Sequence, residues 1–83
     1  MPSVLPPFKG WRVVIYTNDH RPPHVHVIGP QEHARFELLC DLGQVLLMSS
    51  IGFGASQLKS IEIYLVNQLA HLCSEWGRIH DQR

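Results

Sequence analysis

The chain has 83 residues, seven basic and seven acidic, and 45% of its residues are apolar. That is room for one domain with a modest core, hiding about 60% of the surface its unfolded chain exposes, and it excludes wholesale disorder. The charge balance excludes a protein that draws in nucleic acid over long range, which takes clustered Lys and Arg, and no apolar run is long enough to span a membrane.

Residues 1–10, with three prolines and a glycine, read as an extended N-terminal arm. Nothing there has the apolar core of a signal peptide, so the expected location is cytoplasmic. "WRVVIY" (Trp11–Tyr16) is β-branched and aromatic and reads as a strand. "TNDHRPP" is a loop, because Asn-Asp favours turns and Pro22-Pro23 offers no ladder donors. "HVHVI" (His24–Ile28) alternates strictly and reads as a second strand, "GPQE" as a turn, and "HARFELL" (His33–Leu39) as a third strand. "QVLLM" follows as a short fourth strand.

"SSIGFGA" then loosens the chain, with Ser56 as an N-cap. Leu58, Ile61, Leu65, Leu69, Leu72 and Trp76 step by three and four residues along one helix face, and Gly77 is a stop signal. Residues 78–83 form a polar tail. The expected fold is α+β: a small antiparallel sheet of three to four strands, covered on one face by a single long C-terminal helix, in one domain over residues 1–83. Cys40 and Cys73 form no CxxC pair and read as two buried free thiols, with one disulfide as the alternative. A domain of this size is marginal alone, so a partner or a homo-oligomer would stabilise it.

Three of the six histidines fall in "NDHRPPHVHV" (Asn18–Val27). Successive strand residues face opposite ways. The turn at Gly29–Glu32 pairs Ile28 with His33, His26 with Arg35 and His24 with Glu37. Val25, Val27, Ala34, Phe36 and Leu38 then face the helix together, and a one-residue slip would destroy that consistency. The opposite, exposed face gathers His24, His26, Arg35 and Glu37, with Asp19 and His20 in the loop at its edge. Arg12 or Tyr16 from the first strand would join them.

Three readings of that cluster stand side by side. It is a polar sheet face of the ordinary kind, free to dock a partner. It is a metal-independent acid–base site for RNA, with His24, His26 or His20 as base and acid, Arg35 clamping the phosphate and Glu37 or Asp19 orienting an imidazole. Or it is a zinc site, since H-x-H on a strand sets two imidazoles on one side, about 7 Å apart at Cα. The metal candidates are His20, His24, His26 and Asp19. No cofactor motif accompanies them: "GFG" at Gly52–Gly54 lacks phosphate-loop spacing and reads as a connector. His71 and His80 read as solvated, Trp76 and Tyr64 as packing.

"FKGWRVVIYTNDHRPPHVHV" followed by "ARFEL" resembles a family of small bacterial proteins, the domain of unknown function numbered 4160. Its D-H-x-P-P-H-x-H core is filled here by Asp19, His20, Pro22, Pro23, His24 and His26, and the resemblance runs from Phe8 to Trp76 through Gly52-Phe53. "LCDLGQVLLMSSIGFGA" is more apolar than the family pattern and points to a covered surface. The resemblance implies a component of a toxin–antitoxin-like pair, with a small protein partner encoded nearby and RNA as the substrate if the protein is a ribonuclease toxin.

Overall fold

The computed structural model describes residues 5–80. Four strands come first: β1 (Arg12–Val14), β2 (His24–Ile28), β3 (His33–Leu39) and β4 (Gln44–Ile51). Two helices follow, α1 (Ala55–Asn67) and α2 (Leu69–His80). The strands form one antiparallel sheet in the order β1-β2-β3-β4. The ends of the expected arm and tail, residues 1–4 and 81–83, lie outside the described residues.

β2 and β3 have the bounds and the register that alternation implies. His24 opposes Glu37, Val25 Phe36, His26 Arg35, Val27 Ala34 and Ile28 His33. Val25, Val27, Ala34, Phe36 and Leu38 are buried in one core with Ile61, Leu65, Leu69, Leu72 and Trp76 from the helices. β4 is longer than expected, eight residues, with one extra residue at Met48: Phe36 pairs with Leu47 but Arg35 with Ser49. Such a bulge bends the strand and re-aims side chains. β1 is shorter than "WRVVIY" suggests, since the chain leaves the ladder after Val14.

Several expectations need correction. The single long helix is two. The Gln68 N–H is shared between the carbonyls of Tyr64 and Leu65, at 3.1 Å each, and Gln68 sits at φ −106°, which interrupts α geometry for one residue. Leu72 N–H still reaches the Gln68 carbonyl, so the buried face runs on across the break. Gly77 does not stop α2, which continues to His80, and the helix cap is Gly54, not Ser56; the Gly54 N–H donates to Gln57 Oε1 at 2.7 Å. Within the expected extended arm, Phe8 and Trp11 exchange two backbone hydrogen bonds of 2.9 Å around Lys9-Gly10, both at positive φ, the geometry of a tight hairpin turn.

Cys40 and Cys73 are not free thiols. They form a disulfide with a Cα–Cα distance of 6.2 Å, tying the end of β3 to α2 across 33 residues of chain. Cys40 is exposed just past β3 rather than embedded in apolar surroundings. Gly52 is required where it stands: at φ +87° a Cβ would lie 2.9 Å from the backbone oxygen of Gln31, which joins the end of β4 to the β2–β3 turn.

Candidate metal centre

β2 sets His24 and His26 two residues apart, so both imidazoles project from the sheet face away from the main core. The expectation that this face is open does not hold at the two histidines. His24 and His26 are 7% and 8% exposed, and Val14 beside them is fully buried. The reason is the segment between β1 and β2, which folds over the face. The Asp19 N–H donates to the Tyr16 carbonyl (3.1 Å) and the Tyr16 N–H to Asp19 Oδ2 (3.2 Å), a closed turn that fixes the carboxylate. The Tyr16 ring lies edge-on to His26, with centroids 4.7 Å apart.

That turn carries Asp19 to the imidazoles. Asp19 Oδ2 is 3.4 Å from His24 Nε2 and 3.3 Å from His26 Nε2. The three potential ligand atoms all lie within 4.8 Å of one another. The outer nitrogens have partners. His24 Nδ1 is 2.9 Å from the Pro22 carbonyl oxygen, which can only accept, so His24 Nδ1–H donates there. His26 Nδ1 is 3.0 Å from His33 Nε2. His26 Nε2, in contrast, is out of line with the Asp19 oxygen and is a buried polar atom without a hydrogen bond.

The electrostatics follow. With its proton on Nδ1, a neutral His24 presents a lone pair to a carboxylate oxygen. Two acceptors then face each other at 3.4 Å. A second proton on His24 resolves this as an ion pair; a cation shared by Asp19, His24 and His26 resolves it for all three and uses the orphaned His26 Nε2 as well. Imidazoles anchored through Nδ1, with Nε2 turned inward, are the arrangement metal-ligating histidines adopt. Two imidazoles and one carboxylate suit a divalent first-row transition metal and leave at least one coordination position open.

His26 is held below the ordinary histidine value of 6.5, first by burial, with His24 and His33 adding to the effect and Asp19 opposing it. Its folded value is lower than its unfolded one, so in acid the unfolded chain binds more protons. The stability this group supports is complete above about pH 6.5 and is lost as pH falls through the folded value. The melting temperature of metal-free protein is expected to drop on going from about pH 7 to pH 5. A level profile would mean that His26 takes up its proton in the fold over the same pH range as in the unfolded chain.

The other expected site residues separate. His20 is exposed and is not part of the ligating group. Arg35 is exposed on β3 opposite His26, and Glu37, half-buried, opposes His24 without an ion pair to it. Arg12 is exposed opposite Ile28. Asn18, Asp19, His20, Arg21, Pro22, His24, Arg35 and Met48 enclose a cleft of about 280 Å³ above the centre.

Two residues escaped sequence reasoning. His33, paired with Ile28 but given no role, is the partner of His26 Nδ1. His80, read as solvated, stacks on Trp76 at a centroid distance of 3.7 Å, and its Nε2 is 3.1 Å from the Tyr16 carbonyl oxygen. Trp76 in turn lies 5.4 Å from the His24 ring, so the end of α2 buttresses the covering loop and the site together. The i,i+4 spacing of Trp76 and His80 was the available signal.

A four-stranded antiparallel sheet backed by two helices, with a buried two-histidine, one-carboxylate cluster under a loop, defines a small α+β domain with a candidate metal centre. Residues 10–77 match the family model described as Domain of unknown function (DUF4160), and the chain belongs to that family. No curated protein and no solved structure matches the chain. No helix among the described residues is long and apolar enough to cross a membrane.

Proposed function

We propose that this protein is a metal-binding domain that holds one divalent first-row transition metal, zinc in the first instance, on Asp19, His24 and His26. One observation supports this reading above the others: His24 Nε2 and His26 Nε2 converge on one Asp19 oxygen, at 3.4 and 3.3 Å, while His24 Nδ1 is committed to a carbonyl. The metal-independent ribonuclease reading is served less well. An acid and a base must each present a free ring nitrogen to the substrate, whereas both Nε2 atoms turn to Asp19 and both Nδ1 atoms have partners of their own.

Zinc titration by calorimetry tests the proposal. One equivalent is expected to bind the wild type. Asp19→Ala, His24→Ala and His26→Ala are each expected to weaken binding by more than about 100-fold, beyond the 10–100-fold that loss of an outer partner costs. His33→Ala, which removes only the partner of His26 Nδ1, is expected to fall inside that 10–100-fold range. Wild-type protein that takes up no zinc would end the metal reading.

A second reading, a module that docks a small protein partner, has its own observation. β4 is an edge strand without a charged residue, and Leu46, Leu47, Met48 and Ile51 on it are 53%, 41%, 40% and 73% exposed. An apolar, uncharged edge invites strand pairing. On this reading Leu46→Lys with Ile51→Lys abolishes capture of the neighbouring gene's product and leaves zinc uptake intact. Capture that survives both changes would remove β4 as the docking edge.

A further inference from the structure

We infer that the open coordination position of this centre takes a phosphate-type oxyanion, with Arg35 as its second anchor. The inference rests on the metal reading and adds the class of ligand. Asp19 and His24 both line the cleft of about 280 Å³, so the cleft adjoins two of the three ligating residues. A divalent ion held by one carboxylate and two neutral imidazoles keeps a net positive charge. Around the same cleft stand Arg21 and Arg35, with Asn18 and His20 as further hydrogen-bonding groups. Asp19 is the only acidic residue in that lining, and the metal occupies it.

Arg35 is the informative member. Its position is fixed by the β2–β3 register, opposite His26, and not by a mobile loop. Among the described residues it has no salt bridge. An exposed guanidinium beside a metal dication is repelled unless an anion lies between them. Met48, at the bulge in β4, lines the same cleft as Arg35.

Phosphate fits better than carboxylate on count. The guanidinium of Arg35 can engage two oxygens of one ligand and the metal's open position a third. A phosphoryl group presents three or more oxygens to them, a carboxylate only two. Arginine matches phosphate oxygens in a planar, paired fashion, and a metal's open position takes a further oxygen. The cleft also has room beyond the phosphoryl group for a small substituent, so the expected ligand is a phosphate ester.

The test uses protein loaded with one equivalent of cobalt(II), with methyl phosphate and dimethyl phosphate as separate probes and the 31P linewidth as readout. Cobalt broadens only a phosphorus held close to it. Saturable broadening of at least one probe is expected, and the probe that responds tells monoester from diester. In Arg35→Gln the affinity is expected to fall about 10-fold or more, the loss of a hydrogen bond to a charged group, while cobalt uptake stays unchanged. No broadening in a cobalt-loaded protein would overturn the inference and leave the metal centre standing. Equal affinity in Arg35→Gln, or displacement by acetate as effective as by phosphate, would overturn it too. Failure to bind cobalt at all would remove the metal reading, and this inference with it.

Discussion

Replacing Cys40 and Cys73 together by serine is expected to lower stability by about 3–4 kcal/mol, the loop-closure value for a bridge spanning 33 residues. A domain of this size holds only about 5–15 kcal/mol in total. The corresponding fall in melting temperature is on the order of 10–30 °C. The bridge is placed to have this effect, because it ties the end of β3 to α2, the helix that contributes Leu69, Leu72 and Trp76 to the core. Thermal melts of the double variant, and of wild type with and without reductant, read the effect directly. A wild-type midpoint indifferent to reductant would mean that α2 is held by packing alone.

Leu65→Ala is expected to cost about 2–5 kcal/mol. Leu65 is fully buried at the end of α1, in one cluster with Phe36 and Leu38 of β3 and Leu69 and Leu72 of α2. Removing it opens a cavity where the sheet and both helices meet. The tied α2 cannot readily move in to fill the space, which puts the cost toward the upper part of the range. Chemical denaturation with the slope held common to both proteins gives the value. A loss under about 1 kcal/mol would show that the site collapses around the smaller side chain. The more exposed neighbour Ile63 provides the control, since Ile63→Ala removes less buried surface.

These residues also show how far the sequence could be read. The register of β2 against β3 was legible because it is a local matter: alternation on each strand and a four-residue turn leave one consistent pairing. The helix face was legible for the same reason, since its period survives the break at Gln68. Legibility ended where distant parts of the chain meet. Nothing local says that the loop after β1 folds back over the sheet, so His24 and His26 were placed on an exposed face and are buried instead. The disulfide joins residues 33 apart, and only the packing of α2 beside β3 brings them within reach. Of the candidate metal ligands, the sequence supplied Asp19, His24 and His26 by type and spacing. It did not separate them from His20, whose exclusion depends on how the loop turns. The length of α2 was misjudged at Gly77 because helix propensity is weak beside the tertiary contacts of His80 with Trp76 and Tyr16.

The tautomeric state of the two imidazoles bears most directly on the metal centre. Neutral histidine ring nitrogens with and without a proton are resolved by long-range 1H–15N correlation spectra of selectively labelled protein. The expected result is His24 and His26 both protonated at Nδ1 and bare at Nε2, with the two Nε2 resonances, and no others in the ring systems, shifting together on addition of one equivalent of zinc. Imidazolium signals from His24 at neutral pH, unmoved by zinc, would contradict it: the cluster would then be an ion pair on Asp19 that closes a loop, not a metal site.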